Sequence, residues 1–541
     1  MKRFYALCAG LLLVATLPAQ TDFTSPLPLV IIDTQGDTIV NEPKIMARMG
    51  VVDNGPGNPN ATDDPRNDYD GWIGIEIRGS SSQSFPKKGF GLETREENGD
   101  DRQVALLGLP EEEDWVLHGP FSDKSLIRNA LLYGLAGETM AWAPRVRMVE
   151  LIINGDYRGV YLLTERIKRD KNRVDVNKLK EDEIAGDNLT GGYILKFDKF
   201  TGETSGQQNA FLSNYTAATE IGQNIPLLFH YPKPEDLVEQ QRNYIIDWIH
   251  DFEDRLMGPD WLDPVQGYAP DVDLESVADM FIYNEVSRNV DGYRLSTYFA
   301  KEKDSDGGQL RFGPVWDFNL AFGNANYCQG QEIEGWGYEF SDYCPEDGFQ
   351  MPVWWPRLIA DPTVLALVRE RYTDLRRTTL SDDAVRSRID SLVDLMGPAA
   401  IARNFERWPV LGEPVWPNNF VGDTHEEEIA YLTRWTLDRL EWLDGQWLNP
   451  TSLDPAAATN DLELIVYPNP ASAGATLHLR SPTTDLLGYR VAITDALGRL
   501  VVRAAADAPI ALPTTLAPGV YVVRLFDARR RLSAARKWTV R

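Results

Sequence analysis

Two aspartates and a pair of lysines supply the residue types that phosphoryl transfer needs. Asp317 stands in Trp316-Asp317-Phe318-Asn319, which interrupts an apolar strand, so its carboxylate is flanked by bulky side chains. A partly buried carboxylate requires a cation or hydrogen-bond donors; metal ligation supplies the first, and capping of the turn after the strand supplies the second. Asp291 precedes Gly292 just after an apolar helix that ends at Arg288-Asn289. Such a break either holds a carboxylate at the mouth of a site or makes an ordinary Asp-Gly turn. Lys87 and Lys88 lie on the return strand of a hairpin whose connection is Arg78-Gly79-Ser80-Ser81-Ser82-Gln83. Backbone N–H groups around Ser80 and Ser81 can then lie over phosphates with an ammonium aimed at them, although a solvent-exposed hairpin has the same composition. Strand alternation groups Lys88 with Phe90 and Leu92 and Lys87 with Gly89 and Gly91, and leaves open which lysine enters a cleft. Taken together, a lysine offsets phosphate charge, one aspartate holds a metal, and the other accepts or orients the proton of a nucleophile.

The elements that must position these groups follow from periodicity. Strands are predicted at Leu29–Ile32, at Trp72–Ile77, where Ile73, Ile75 and Ile77 share a face, and at Phe85–Leu92. A helix is expected over Ser122–Thr139, with Leu126, Ala130 and Tyr133 in its buried stripe. Strands at Arg147–Ile153 and Gly159–Leu163 flank Asn154-Gly155, a strong hairpin signal. Helical spacing follows from Asp271 to Asn284, from Thr363 to Leu375 and from His425 to Trp447. Strands first and helices later predict an α+β fold with two lobes. Asp304-Ser305-Asp306-Gly307-Gly308 lacks the downstream glutamate of an EF-hand and is read as a hairpin turn rather than a calcium loop.

Composition narrows the chemistry. The 541 residues are 43% apolar and 25% charged, enough for full cores, and 54 Lys plus Arg against 81 Asp plus Glu leave a net charge of −27. That field repels phosphate backbones and excludes a general nucleic-acid binder. Five His and three Cys are too few for zinc-ribbon or multi-His chemistry, so a metal here is a hard cation such as Mg, Mn or Ca. Residues 1–20 have the Lys2-Arg3, apolar-run and Pro18-Ala19-Gln20 pattern of a secretory signal, with mature chain expected from about Thr21 and Cys8 removed. No later stretch reaches the roughly 18 apolar residues of a membrane span. In an oxidising compartment Cys328 and Cys344 are expected to form one disulfide. A small-residue linker, 449–462, separates a main domain at 71–448, preceded by a β extension at 21–70, from a strand-rich tail at 463–541 that reads as a small Ig-like sandwich. From Leu464 onward eleven Arg/Lys and four Asp/Glu give +7, so the rest carries about −34.

From about residue 70 to 445 the chain resembles the CotH kinase-like proteins, named for spore coat protein H. The resemblance rests on RGSSSQSFPKKGFGLE, DWVLHGPFSDKSLIRNALLYGLA, NGDYRGVYLLTERIKRD, GGYILKFDK, NEVSRNVDGYRLSTYFA and GPVWDFNLAFG, in that order. It implies an atypical protein-kinase fold using ATP and Mg2+ or Mn2+. Asp291 then matches the catalytic-loop aspartate and Asp317 the metal-binding one. Glu165, Arg166 and Ile167 lie where adenine passes between lobes, and Lys87 or Lys88 contacts phosphate together with the Ser80-Ser81 turn. Ser296 stands where many members carry Asn, and Asn319 where many carry a second Asp, which removes negative charge from the cation site. The tail segments YPNPASAGATLHL, ITDALGRLV and LAPGVYVVRL resemble the C-terminal sorting domain of cargo of the bacterial type IX secretion system, and imply passage through the outer membrane to the surface or medium. The function so implied is an exported kinase acting on Ser or Thr of secreted or surface proteins. The alternative is a catalytically weak pseudokinase serving as a surface binding or adhesion protein.

Overall fold

The computed structural model describes residues 23–200, 209–217, 222–448, 464–482, 484–495, 500–526 and 532–541. The proposed signal at 1–20 and the linker at 449–462 lie outside the described residues. The chain divides into a first compact unit ending at Trp442 and a second beginning at Leu443.

In the first unit β1 (Thr24–Ser25) pairs with β4 (Asn60–Ala61), while β2 (Leu29–Asp33), β3 (Ile45–Val52), β5 (Tyr69–Arg78), β6 (Gly89–Arg95), β7 (Asp114–His118), β8 (Val146–Ile153) and β9 (Asp156–Glu165) form a closed barrel. The barrel order is β2-β3-β5-β6-β7-β9-β8, and β2 closes it by running parallel to β8. The segment before residue 70 is therefore built into the same barrel as the strands after it. Alternation explains its filling: Val30, Ile32, Ala47, Met49, Ile73, Ile75, Leu92, Trp115, Leu117, Val149 and Leu151 form one buried cluster. The Asn154-Gly155 hairpin forms as expected, with both residues at positive φ (52° and 76°) between β8 and β9.

The expected helix over Ser122–Thr139 is shorter: α1 spans Arg128–Ala136. The reason is Asp123, whose buried carboxylate accepts from the Ser125 and Arg128 backbone N–H groups, the Ser125 hydroxyl and the Arg128 guanidinium. This local network competes with helical bonding until Arg128.

Beyond the barrel, β10 (Tyr193–Phe197), β11 (Ala210–Leu212), β12 (Pro226–Tyr231), β13 (Thr297–Lys301) and β14 (Leu310–Phe312) make a second sheet in the order β11-β12-β10-β13-β14. The acidic turn at 304–308 connects β13 to β14. Helices α2 (Glu239–Met257), α3 (Leu274–Ser287), α4 (Phe340–Tyr343), α5 (Trp354–Ile359), α6 (Pro362–Arg376), α7 (Asp382–Arg407) and α8 (His425–Trp447) complete the mixed α and β architecture. Asp273 caps α3 by accepting from the Glu275 and Ser276 N–H groups, and Asp361 caps α6. The buried pair Trp354 and Trp355 packs among Phe197, Phe252, Phe281, Phe299 and Phe312, joining the second sheet to the helices. Among the described residues no helix is long and apolar enough to cross a membrane.

The second unit carries two antiparallel sheets, β15 (Ile465–Tyr467), β16 (Thr476–Arg480) and β19 (Ile510–Ala511) in one, and β17 (Arg490–Asp495), β18 (Leu500–Ala505), β20 (Gly519–Phe526) and β21 (Leu532–Val540) in the other. Leu477, Ile493, Val523, Leu525 and Trp538 belong to one shared buried cluster.

Candidate active site

A cleft of about 280 Å3 opens between the end of the barrel hairpin β5–β6 and the loops that follow α3 and β14. Ser80, Ser81, Asp291, Ser296, Asp317 and Asn319 all line it, although up to 239 positions separate them in the chain. Gly79 makes the turn that delivers the serines: its φ is 122°, and a Cβ there would sit 2.1 Å from the Ser82 hydroxyl. The Gln83 amide ties the same turn to Asn41 and to the Gly79 carbonyl, each at 2.6 Å.

Asp317 is not an interruption of a strand. β14 ends at Phe312, and Asp317 follows in an irregular segment with φ 64°. The segment is held by backbone donors: the Asp317 N–H bonds to the Tyr133 hydroxyl (3.0 Å), the Phe318 N–H to the Asn129 side chain (2.7 Å), and the Asn289 amide to the Asp317 carbonyl (3.2 Å). The Asp317 carboxyl is thus left to face the cleft, where burial pushes it up to about 7, with Asp291 and Asp198 adding in the same direction and Lys199 and Arg78 opposing. Asp291 follows α3, whose last turn passes into left-handed Arg288, and its carboxylate accepts from the Arg294 guanidinium at 3.1 Å.

The lysines named from the sequence do not line the cleft. Lys87 turns into the interior, donates to the Asn404 side chain of α7 at 2.8 Å, and lies 5.2 Å from the Tyr161 ring centroid. Burial pulls its ammonium well below the ordinary value. Lys88 bonds the Gln83 carbonyl at 2.5 Å and so closes its own turn. Glu165 is also placed elsewhere: it is fully buried and accepts from the Arg145 backbone and guanidinium at 2.6–3.0 Å. Ile167 does not line the cleft; its side chain belongs to a buried cluster with Val174, Val176, Ile194 and the cleft residue Tyr298, and its carbonyl meets His230 Nε2 at 2.9 Å. Their neighbour Arg166 does line the cleft and pairs with Asp114.

The cations on the cleft wall are Arg78, Arg166, Lys196 and Lys199, and Asp198, Glu42 and Glu76 add carboxylates to those of Asp291 and Asp317. Burial lowers the Lys196 ammonium, but Tyr298 and Asp198, the latter at 2.8 Å, outweigh it and hold it above its ordinary value. Lys196 was legible as a charge inside the apolar run Tyr193–Phe197; its partner two positions on completes the signal. Arg78 lies 5.8 Å from the Trp316 ring centroid and so connects the barrel to the Asp317 segment. His118 also lines the cleft and is neutral near pH 7, since burial pushes it down to about 4. The disulfide between Cys328 and Cys344 is formed, as expected from their spacing and compartment.

A closed barrel joined to a helix-covered sheet, with acids and cations facing each other across the junction, is an arrangement suited to a nucleotide polyphosphate and a divalent ion. The family described as CotH kinase protein matches residues 75–443, more than half of the chain, and the chain belongs to that family. No curated protein matches it. A kinase-like family implies ATP and a divalent metal, and the cleft offers oxygen donors for an ion and cationic side chains for phosphates. Asp317, Asp198 and Asn319 offer hard oxygen donors suited to Mg2+ or Mn2+, and a cation offsets the desolvation and the like-charge repulsion that raise Asp317.

The upward shift of Asp317 has a measurable sign. An acid shifted from 3.8 to about 7 holds a proton between those values in the native state, so the metal-free fold loses stability as pH rises through that window. The same proton competes with the cation. Mn2+ affinity, measured by thermal shift at pH 5, 6, 7 and 8, is expected to rise about tenfold per pH unit up to about pH 7 and then level off. Affinity that is flat across this range contradicts the assignment of Asp317 as a ligand.

Proposed function

We propose that this protein is an exported, ATP-dependent protein kinase of two lobes, the barrel with its flanking hairpin turn and the helix-rich part beyond it. Asp317, with Asn319 and Ser296, would hold Mg2+ or Mn2+, which would supply positive charge against the phosphates of ATP. Ser80 and Ser81 cover the phosphates, and Lys196, Lys199, Arg78 and Arg166 take the electrostatic role that Lys87 and Lys88 cannot fill from their positions. Asp291 accepts the proton of a Ser or Thr hydroxyl as its oxygen bonds to the γ-phosphorus and ADP leaves. The acceptor is a secreted or surface protein. Export is supported by the leader pattern at residues 1–20, and the tail at 463–541 serves as an Ig-like type IX sorting domain that engages the secretion machinery.

The observation that carries the kinase reading is the convergence of Asp291 and Asp317 on one cleft with four cationic side chains. Thermal-shift titration with ATP and Mn2+ tests it, since binding is expected to raise the melting temperature of wild type and to fail in Asp317→Asn. Ser296 and Asn319, both neutral, favour a second reading, a pseudokinase used for surface binding or adhesion. Nucleotide-dependent stabilisation without transfer of labelled phosphate to any protein acceptor selects that reading.

A further inference from the structure

Asp291 is held by a buried arginine. Arg294, whose side chain is 2% exposed, donates to the Asp291 carboxylate through Nη2 (3.1 Å), and through Nη1 to the Asp347 carboxylate (3.0 Å) and the Phe349 carbonyl (2.9 Å). Its Nε bonds the Val290 carbonyl (2.9 Å), and its guanidinium lies 3.8 Å from the Phe340 ring centroid. All its polar contacts and its stacking are thus satisfied in a single orientation, which suits the planar fork of Arg and no other side chain. On the other side stands Tyr327, whose hydroxyl is pushed up by burial and by the neighbouring Asp291 carboxylate. Its ring stacks on Trp416, with centroids 5.9 Å apart, and the following Asn326–Pro417 backbone bond (2.8 Å) ties the two loops together.

Tyr327 and the anchors of Arg294 lie at the two ends of one covalent loop. Tyr327 immediately precedes Cys328, while Phe340 and Asp347 flank Cys344, and the disulfide joins these ends. Around Cys344 the chain is kept in place by the Gln350 side chain, which bonds the Cys344, Pro345 and Asp347 carbonyls at 2.6–3.2 Å. At the other end Cys328 and Gln329 both sit at positive φ (49° and 59°), a backbone state that costs about 1 kcal/mol or more per non-glycine residue and persists only where surrounding contacts impose it.

We infer that Arg294 is a positioning residue for Asp291, and that the Cys328–Cys344 bond staples the Phe340–Asp347 stretch that anchors Arg294, so that reduction of this one disulfide releases the aspartate from its working orientation. Arg294 acts through Asp291 and touches no reacting atom. The inference rests on the kinase reading for its effect on rate, but not for its effect on the mobility of the Asp291 loop.

The test uses the full chain in three forms beside wild type: Arg294→Met, Cys328→Ser with Cys344→Ser, and wild type reduced with a phosphine. Hydrogen–deuterium exchange of peptides covering 289–296 is expected to quicken in all three, with the barrel peptides covering 146–165 unchanged. In phosphate transfer kcat is expected to fall roughly 10- to 100-fold, with KM for ATP within about twofold of wild type, because the cation-bearing wall is untouched. Arg294→Lys, which cannot bridge both carboxylates, is expected to recover only part of the rate. Exchange at 289–296 that stays at the wild-type level in the disulfide-free and Arg294→Met proteins overturns the inference. So does an equal fall in kcat and exchange protection across the whole chain, which is the mark of general unfolding. Faster exchange at 289–296 in proteins of which none, wild type included, transfers phosphate upholds the positioning role and removes the kinase reading instead.

Discussion

Asp291→Asn is expected to lower phosphate transfer to a protein acceptor by about 10²- to 10⁴-fold, the usual contribution of a positioned general base. The side chain is 20% exposed at the cleft and already oriented by Arg294. Asparagine has the same shape and keeps an oxygen for the Arg294 guanidinium, so the fold and the nucleotide site are expected to survive. What is lost is the acceptor for the hydroxyl proton. ATP-dependent thermal stabilisation should therefore match wild type while the rate collapses, and the two readouts together separate Asp291 from Asp317. Asp317→Asn removes a cation ligand, so there both binding and rate are expected to fall. Radiolabel incorporation that is equal in wild type, Asp291→Asn and Asp317→Asn eliminates the site assignment.

Glu285→Ala is expected to destabilise the first unit by about 3–5 kcal/mol, the range for breaking a buried ion pair from one side. Glu285 and Arg439 are each wholly buried, 2.9 Å apart. The Glu285 carboxylate also accepts from the Tyr293 hydroxyl (2.8 Å) and from the Gly337 (2.8 Å) and Tyr338 (3.1 Å) N–H groups, and the Arg439 Nε donates to the Glu285 carbonyl at 2.7 Å. Removal of the carboxylate strands a guanidinium and two backbone donors without water. Glu285→Met combined with Arg439→Met is expected to cost less than Glu285→Ala alone, since no charge is then left unpaired. Chemical denaturation provides the measurement, and a loss under about 1 kcal/mol for Glu285→Ala contradicts it. The network lies at the base of the loop that leaves α3 and passes through Asp291, since Tyr293 in that loop donates to Glu285.

Several of these features were readable before any coordinates. Asn154-Gly155 specifies a hairpin by its own backbone preferences, and the span His425–Trp447 was bounded correctly by apolar spacing. Helix α7 shows the opposite case. It holds a kink at Gly397, φ 67°, followed by Pro398, and that interruption hides it from any periodicity scan. The Ser122–Ile127 stretch has helical spacing but folds around the Asp123 carboxylate, a competition between side chain and backbone that spacing does not report.

Local order in the chain placed Ser80 and Ser81 in the turn between β5 and β6 and paired Cys328 with Cys344, but it read Lys87 and Lys88 as strand residues and Asp317 as a strand interruption, whereas β6 begins at Gly89 and β14 ends at Phe312. Only the folded molecule decided which cations face Asp291 and Asp317. Lys87 is drawn inward by Asn404, which stands 317 positions later, while Lys196 and Lys199 are brought to the cleft wall by a sheet that the barrel strands never join. A side chain's facing depends on what packs against it from distant segments, and local sequence order carries no record of that.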